Sequence, residues 1–334
     1  MVHVLSLGGT IAMIHRGDAG VVPALTADQL LASVPQVSTY ARVEARSFRQ
    51  VPGAHLTFED LIDLASEIRR LAAGGSDGFV VTQGTDTIEE TAFALDLLVG
   101  PAAPVVVTGA MRHPTLPGAD GPANLLASVQ VAASPLARGL GTLVVLQDEI
   151  HAARFVQKGH VSSPGAFASP LTGPIGWVSE GRVRVAVRPG PGLHIEIPQG
   201  APPVRVALVT AALGDDGAWL RALPSLGFDG VVIEGLGAGH VPAGWVEPLQ
   251  DLARRVPVAL ASRTGAGESF RSTYGFPGSE TDLLERGLIA TGILDGPKSR
   301  VLLSLLLRSG ATREAIAAAF DALIPSGTEP DNGG

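Results

Sequence analysis

Short, strongly apolar runs alternate with helix-length stretches along the first half of the chain. This β-then-α rhythm predicts right-handed crossovers and a parallel sheet. The chain is 46% hydrophobic and only 4% aromatic, so we expect a core of aliphatic side chains, which suits a sheet covered by helices on both faces. The predicted strands cover 2–5, 43–46, 78–82, 105–107 and 143–146, and the predicted helices cover 27–33, 57–73, 88–99 and 121–133.

The rhythm is interrupted and then resumes, which indicates two α/β domains. We predict a larger N-terminal domain over 1–188 with a mostly parallel sheet flanked by helices, in which 148–187 forms turns and short hairpin strands. Residues 189–203 are rich in Pro and Gly and are predicted to be a linker. A smaller parallel α/β domain over 204–325 and a disordered tail over 326–334 follow. The predicted strands of this smaller domain cover 204–209, 230–234 and 256–262, and its predicted helices cover 217–222, 245–254, 298–308 and 312–323.

Composition excludes several classes of function. The net charge is -8 and no basic stripe is present, which argues against nucleic-acid binding. The chain has no cysteine, so disulfides and thiolate metal sites are excluded. No apolar run is long enough to span a membrane. The first predicted strand begins almost at Met1, which leaves no room for a signal peptide and predicts a cytoplasmic protein.

Two threonine-bearing turns follow predicted strands. Thr10 follows Gly8 and Gly9, and Thr85 with Asp86 follows the strand over 78–82. Each turn alone is typical of an ordinary loop or a helix cap. In an open α/β sheet, however, the carboxyl ends of neighbouring strands line one crevice where ligands bind. The pair therefore predicts a site built around a hydroxyl nucleophile, which needs a nearby base.

Lysine usage suggests where that base lies. Lys158 and Lys298 are the only lysines among 24 basic residues. An arginine cannot readily lose its proton, whereas a partly buried lysine can. We therefore predict a relay in which Asp86 supports Lys158 and Lys158 takes a proton from Thr85. The alternative is a solvated lysine with no role.

Other signals are weaker. Thr57 with Asp60, and Thr87 with Glu90, have the spacing of capping boxes, the second opening a helix behind Asp86. The glycine-rich turn before His240 lacks the dinucleotide-binding spacing, so no cofactor is predicted. Two further histidines, His113 and His151, are expected near the crevice as polar loop residues. No metal-ligand spacing links them, so no metal is predicted.

Five ordered motifs resemble those of the bacterial-type L-asparaginase/glutaminase family over nearly the whole chain. They are Gly8-Gly9-Thr10-Ile11-Ala12, Gln83-Gly84-Thr85-Asp86-Thr87-Ile88-Glu89-Glu90-Thr91, Thr108-Gly109-Ala110-Met111-Arg112 with Gly118-Ala119-Asp120-Gly121-Pro122-Ala123-Asn124-Leu125, Asp148-Glu149-Ile150 with Lys158, and Lys298-Ser299-Arg300-Val301-Leu302-Leu303.

The resemblance implies that Thr10 attacks a side-chain amide and forms an acyl-enzyme, with Thr85, Asp86 and Lys158 as the proton-relay group. Backbone N–H groups at the threonine turns would stabilise the oxyanion. The Ala110 carbonyl would accept a hydrogen bond from the leaving amide, and no cofactor is implied. The substrate-binding positions implied are Gly53, Ala54, His55, Gly84, Asp86, Ala110, His240 and Glu280.

Two departures from the family pattern concern substrate handling. Val21 stands where the family carries a loop tyrosine that helps to activate the nucleophile, in a stretch, 17–22, predicted to be a mobile lid. Residues 52–55 replace a Ser-Gln pair that holds the α-carboxylate, leaving backbone donors and His55. We expect weakened catalysis, and we expect Val21→Tyr to raise kcat/KM.

The resemblance also implies a small-molecule substrate and a shared active site. The expected substrate is L-asparagine; the alternatives are a glutaminase-leaning or broad amidase, an ammonia-supplying subunit, and a weakly active amino-acid-binding homologue. A homotetramer built from two dimers, or a homodimer, is implied. Glu280 would contact the substrate's α-amine in the neighbouring subunit, and His240 would reach the same site. The alternatives are an exposed loop glutamate and a surface histidine.

Overall fold

The computed structural model describes residues 1–9, 11, 13–15, 21–23, 26–100 and 103–325. Two compact units make up the chain, Met1–His194 and Ile195–Gly334. The division falls inside the segment predicted as a linker, and the finer domain bounds remain predictions. The predicted nucleophile Thr10, most of the predicted lid and the predicted tail over 326–334 lie outside the described residues.

The first unit alternates strands and helices before ending in short antiparallel strands. Its strands are β1 (Val2–Ser6), β2 (Met13–His15), β3 (Val21–Pro23), β4 (Val43–Ser47), β5 (Gly78–Thr82), β6 (Val105–Thr108), β7 (Thr142–Leu146), β8 (Glu149–Ala152), β9 (Gln157–Lys158), β10 (Phe167–Ala168), β11 (Gly176–Ser179) and β12 (Arg182–Val185). Its α-helices are α1 (Ala27–Ala32), α2 (Phe58–Ala73), α3 (Ile88–Val99) and α4 (Gly121–Ala133).

Eight of these strands form one sheet in the order β12-β11-β8-β7-β6-β5-β1-β4. The pairs from β4 to β7 are all parallel, as the alternation predicts. Val80 and Val106 pack in one apolar cluster with Leu125 and Val129 of α4, while α3 contacts β6 and β7 and also packs on α2. The predicted mostly parallel sheet flanked by helices is confirmed.

Helix α2 shows how the sequence encodes a surface helix. Its buried side chains, Leu61, Leu64, Ala65 and Ile68, recur at the spacing of a single helix face. The predicted capping box is present, because Thr57 accepts from the Asp60 N–H and the Asp60 carboxylate accepts from the Thr57 N–H. Among the described residues, no helix is both long and apolar enough to cross a membrane.

The far edge of the sheet is antiparallel and built from hairpins. Strands β7 and β8 are joined by Gln147 and Asp148, whose φ angles are 50° and 61°. Strands β11 and β12 are joined by Glu180 and Gly181, with φ angles of 51° and 70°. Two-residue turns with both φ angles positive match the twist of adjacent strands. The short hairpin strands predicted over 148–187 are therefore confirmed.

Part of the predicted lid is a hairpin strand. Backbone pairing joins β2 to β3 in an antiparallel ladder, with His15 opposite Val21 and Ile14 opposite Val22. Residues 17–20 lie outside the described residues, so the structure describes only Val21 and Val22 of the predicted lid, and its mobility stays a prediction. Val21 and Val22 belong to regular backbone.

The second unit contains a parallel sheet in the order β13-β14-β15-β16. Trp245, Leu249 and Leu260 lie in its apolar core, and the predicted smaller parallel domain is confirmed. Its strands are β13 (Val206–Thr210), β14 (Gly230–Gly235), β15 (Val258–Ser262) and β16 (Ile289–Ala290), and its α-helices are α5 (Val246–Ala253), α6 (Glu280–Glu285), α7 (Gly296–Ser309) and α8 (Arg313–Asp321).

The α-helix predicted over 217–222 is wrong in type and extent. A 3-10 helix spans Ala218–Leu226 instead, between Gly217 and Gly227 in the left-handed conformation. Pro224 lies inside this segment. Proline has no N–H and its ring clashes with the preceding helical turn, so it disfavours a regular α-helix there.

Candidate active site

Two turns, one after β1 and one after β5, touch through glycine backbones. Gly9 has a φ of +85°, and a Cβ atom built on it would lie 1.9 Å from the Gly84 nitrogen. Only glycine permits that conformation and that approach. The contact places the residue before Thr10 against the residue before Thr85. Thr10 itself is outside the described residues, so its position is known only through its neighbour Gly9.

A third loop packs against the same turn. A Cβ atom built on Gly53 would lie 3.0 Å from the Gly84 carbonyl oxygen, and the Thr87 hydroxyl donates to the Gly53 carbonyl over 3.1 Å. Gly53 is buried, while Ala54 and His55 are exposed on the same short 3-10 turn. The loop predicted to hold the substrate's α-carboxylate therefore borders the turn that carries Thr85.

The capping box predicted for Thr87 and Glu90 is wrong. Helix α3 has no side-chain capping bond from Thr87. The Thr87 hydroxyl bonds to the Gly53 carbonyl and accepts from Nε2 of buried Gln83 over 3.2 Å. Because the hydroxyl joins two loops, it is not available to the helix terminus. Gln83 was not assigned a role from the sequence. Its buried amide donates to the Gly84 carbonyl and to the Thr87 hydroxyl, and so stabilises the turn.

Lys158 joins the two side chains that the sequence analysis grouped with it. Its Nζ lies 3.0 Å from Thr85 Oγ1 and 2.9 Å from Asp86 Oδ1. The Lys158 side chain is 15% exposed and that of Asp86 is 68% exposed, while Thr85 is buried. A charged ammonium donates both bonds, so it can accept a proton from Thr85 only after losing one of its own.

The backbone around Lys158 is fixed to the same helix. The Lys158 N–H donates to Glu89 Oε2 over 2.8 Å, in the first turn of α3. Lys158 also pairs with buried Phe167 across the β9–β10 ladder. Helix α3 therefore positions Lys158 through its backbone, while the turn before the helix holds its amine.

The loop after β6 is held by two side chains that received no role from the sequence. The Asp120 carboxylate accepts from the N–H groups of Met111 and Arg112. Asn124 donates to the Gly109 carbonyl over 3.0 Å and accepts from the Gln147 N–H. Their motif was visible, but Asp and Asn in a loop are also ordinary turn residues. The consequence is a fixed backbone beside one predicted substrate-binding residue, buried Ala110.

In the second unit, Glu280 and His240 form a buried acid–imidazole pair. Glu280 is fully buried, and its Oε2 lies 3.1 Å from His240 Nε2. Its Oε1 accepts from the N–H groups of Thr273 and Tyr274 at 2.8 and 2.7 Å. The interpretation of Glu280 as an exposed loop residue is therefore wrong.

The charge of Glu280 is stabilised inside the protein. Burial by itself raises the pKa of Glu280, but hydrogen bonds from the backbone N–H groups of Tyr274, Thr273 and Glu280 itself, and from His240, outweigh it and lower the pKa. An ionised carboxylate is an acceptor only, so His240 Nε2 carries the shared proton. Neutral His240 then has its acceptor at Nδ1, and its side chain is 22% exposed.

The two histidines expected near the crevice have structural contacts. His151 was expected to be a polar loop residue, which is wrong: it lies in β8, is buried, and bonds through Nδ1 to Ser169 Oγ over 2.9 Å. His113 is half-buried and bonds to Thr115. Across the described ranges, no group of three or more His, Asp or Glu side chains is arranged to hold a metal ion.

An open cavity of about 410 Å³ adjoins the Lys158–Asp86 pair, and Glu89 and His160 also line it. His160 Nδ1 accepts from the backbone N–H groups of Ser162 and Ser163. Neutral His160 therefore carries its proton on Nε2, which is a donor. The space beside the amine is large enough for a small polar substrate.

These features define a class of protein. Thr85, Lys158 and Asp86 lie at the carboxyl end of a parallel strand, and Gly84, the residue before Thr85, packs against Gly9 of the turn after β1. A hydroxyl, an amine and a carboxylate gathered at such a crevice are typical of an α/β enzyme.

Comparison with known proteins identifies the family. Residues 1–190 match the family model for the N-terminal domain of asparaginase, and residues 205–320 match the model for the glutaminase/asparaginase C-terminal domain. The chain belongs to the asparaginase/glutaminase family and is an asparaginase-type amidohydrolase.

Individual relatives agree with this membership. The chain is 38% identical over 327 residues to a probable L-asparaginase of Deinococcus radiodurans, covering 95% of this chain and 96% of the relative. It is 37% identical over 276 residues to a glutaminase-asparaginase of Pseudomonas aeruginosa, covering 79% and 75%. The crystal structure of a probable cytoplasmic L-asparaginase from Campylobacter jejuni superimposes with a TM-score of 0.87 at 30% identity, covering 96% of this chain and 98% of that one.

Proposed function

We propose that this protein hydrolyses the side-chain amide of L-asparagine to L-aspartate and ammonia, with Thr10 as the nucleophile. The observation that carries the proposal is the double hydrogen bond of Lys158 Nζ to Thr85 and Asp86, beside the contact of Gly9 with Gly84. Acyl transfer by a hydroxyl requires a group that moves a proton near the reacting atoms. Lys158 is the titratable amine within reach.

In the proposed first step, Thr10 Oγ bonds to the amide carbon and the C–N bond breaks. The nitrogen leaves as ammonia after it has received a proton. In the second step, water attacks the resulting ester, aspartate leaves, and the proton returns to Thr10. Thr85, Lys158 and Asp86 form the relay, and backbone N–H groups at the two threonine turns stabilise the oxyanion, which is typically the largest single contribution to catalysis.

L-Glutamine is the second candidate substrate. Glutamine is one methylene longer than asparagine, and the open cavity of about 410 Å³ beside Lys158 accommodates that length. A relative in Pseudomonas aeruginosa is named for both activities. One added methylene in a pocket typically changes discrimination by about 10- to 200-fold. Both amides are therefore candidates, with asparagine preferred by the proposal.

We propose further that the second unit completes the active site of a neighbouring subunit in a homodimer or a dimer of dimers. Glu280 is fully buried, and its carboxylate already accepts from His240 and from the N–H groups of Thr273 and Tyr274. The partly exposed His240 is therefore the better contact for a partner's substrate: its Nδ1 accepts from an ammonium while Glu280 fixes the ring through Nε2. In this proposal Glu280 acts as a positioning residue.

Ammonia release tests the substrate proposal. Equal concentrations of L-asparagine, L-glutamine and a dipeptide amide are compared with the same enzyme preparation. Highest kcat/KM on L-asparagine supports the proposal, and highest kcat/KM on L-glutamine favours the glutaminase alternative. Aspartate binding with no ammonia from any of the three amides indicates an amino-acid-binding homologue instead.

A further inference from the structure

A second polar cavity lies in the first unit, near the C-terminal end of α3. Its volume is about 130 Å³. One ordered water needs only about 10–15 Å³ of such space, so this cavity has room for several waters or one small molecule. It is lined by Asp96, Arg154 and His194 together with the backbone of glycine-rich segments at 139–141 and 190–192.

The acid in this cavity is held in place by a backbone hydrogen bond and, within the described residues, makes no direct ion pair. Asp96 Oδ1 accepts from the Thr142 N–H over 2.7 Å. A Cβ atom built on Gly141 would lie 2.2 Å from the same oxygen, so a glycine there leaves room for the carboxylate. Burial raises the pKa of Asp96 to about 6, opposed by the Thr142 hydrogen bond and the Arg154 charge. Over the described ranges, Asp96 forms no salt bridge, and both lysines pair with other carboxylates.

The cation in this cavity, the Arg154 guanidinium, lines the same space as Asp96. Arg154 Nη2 donates to the Gly190 carbonyl over 2.9 Å, and in the described part of the chain Arg154 forms no ion pair with a carboxylate. A Cβ atom built on Gly192 would lie 3.4 Å from Arg154 Nη2 and 3.5 Å from Asp96 Oδ2. The guanidinium and the carboxylate therefore flank one small space, without touching each other.

We propose that this cavity binds a small zwitterionic α-amino acid, with its ammonium at Asp96 and its carboxylate at Arg154. A lone anion would be repelled by Asp96 and a lone cation by Arg154, whereas a zwitterion gains a charge-assisted hydrogen bond from each. The volume favours a ligand of few heavy atoms. This site is at the other end of α3 from Thr85 and Asp86.

Helix α3 and the chain segment over 154–158 contribute both to this cavity and to the site around Lys158. They provide a route by which the two sites can be coupled. Asp96 lies on α3 about two turns after Glu89, which holds the Lys158 backbone. Arg154 precedes Lys158 by four residues in the sequence. A ligand that draws Asp96 and Arg154 together therefore acts on both elements that position the Lys158 amine. This coupling rests on the proposed function, whereas the binding itself does not.

Calorimetric titration with glycine tests the site, because glycine has both charges and no side-chain amide to be hydrolysed. We expect Gly192→Ala and Arg154→Gln to weaken glycine binding by about tenfold or more. Gly192→Ala has no backbone clash, since its added atom meets only Arg154 and Asp96 at ordinary contact distances. Arg182→Gln, on an exposed edge-strand arginine, is the matched control and should bind glycine as the wild type does.

Two further arms separate this site from the catalytic crevice. Glycine binding should persist in Asp86→Asn, and methylamine or acetate alone should bind more weakly than glycine. Absence of glycine binding to the wild type, equal binding in Gly192→Ala, loss of binding in Asp86→Asn, or crystals grown with glycine that show only water beside Asp96 would each overturn the proposal. Retained glycine binding in a protein that releases no ammonia contradicts the proposed function alone.

Discussion

At the scale of single residues, the candidate chemistry depends on one of only two lysines in a chain rich in arginine. Lys158 donates to Thr85 and Asp86, and its charge alone could hold those two side chains. A relay requires more than charge, because the amine must exchange a proton. Arginine keeps the charge but does not lose its proton in proteins.

We expect Lys158→Arg to be nearly as damaging as Lys158→Met, each lowering kcat by about 100-fold or more. Steady-state ammonia release measures kcat, and thermal melting verifies that both variants fold. If Lys158→Arg retains most of the activity, Lys158 serves as a fixed charge and not as a proton carrier.

Asp96 should make stability depend on pH. Its pKa is raised to about 6 in the folded protein, whereas a carboxyl in an unfolded chain titrates near 4. Between these values the folded state holds a proton that the unfolded state has released. Stability therefore falls as pH rises through this window, by up to about 3 kcal/mol above pH 6.

Asp96→Asn should remove that dependence, because asparagine still accepts from the Thr142 N–H and carries no charge. Urea unfolding at pH 4 and pH 7 measures the effect. We expect the variant to match the wild type at pH 4 and to be more stable at pH 7. A variant that is less stable than the wild type at pH 7 would show that the Asp96 charge is stabilised.

The side chains of the relay group could be predicted from the sequence, whereas the amides and acids that hold loops could not. The scarcity of lysine singled out Lys158, and the structure brings it to Thr85 and Asp86. Asp120 and Asn124 were not assigned roles, because their hydrogen bonds run to backbone groups of other loops. Such bonds depend on the tertiary arrangement and leave no periodic signal in the sequence.

At the scale of elements, the approach of two turns through Gly9 and Gly84 is the feature most sensitive to substitution. Gly9→Ala combines a positive φ with a clash between the added Cβ atom and Gly84. Gly75→Ala is the matched control, because Gly75 also has a positive φ, +93°, but an added Cβ atom would meet no atom within 4 Å. The left-handed conformation alone costs about 1–2 kcal/mol in any residue with a side chain.

We therefore expect Gly75→Ala to lose a little stability and keep its activity, and Gly9→Ala to lose activity severely. Should Gly9→Ala not fold, Gly84→Ala gives the same test more mildly, since its Cβ atom would lie 2.9 Å from the Gly53 nitrogen. The measurements are kcat on folded protein and the melting temperature. Equal activity in Gly9→Ala and Gly75→Ala would show that the turns need not touch.

Element bounds were predictable where local signals agree. Helices α3 and α4 span the predicted residues, and α2 has its predicted capping box. The prediction over 217–222 was wrong because Pro224, just after the predicted segment, disfavours a regular α-helix there. The two-residue strand β16 is too short to show any periodicity, and only its pairing with β15 defines it.

At the scale of the whole molecule, the account predicts active sites shared between subunits. Thr10→Ala and His240→Ala should each be nearly inactive alone. After co-refolding in equal amounts, about half of the dimers are mixed, and each mixed dimer has one site with both native residues. Activity should therefore recover to about a quarter of the wild type, because the two changes lie in different sites.

Subunit exchange must be shown independently, for example by native mass spectrometry of tagged chains. Glu280→Gln replaces His240→Ala in a second mixing experiment, which tests the positioning role of the buried acid. If proven exchange restores nothing beyond the sum of the parents, the second unit does not act on a neighbour's site.

The central claim is that Thr10 is the nucleophile, and ammonia release by Thr10→Ala tests it most directly. Thr39→Ala, the same substitution at an exposed threonine of the same unit, is the matched control. We predict that Thr10→Ala folds, still binds L-aspartate and loses kcat by several orders of magnitude, while Thr39→Ala is unchanged. Near-normal ammonia release from L-asparagine by folded Thr10→Ala would contradict the account.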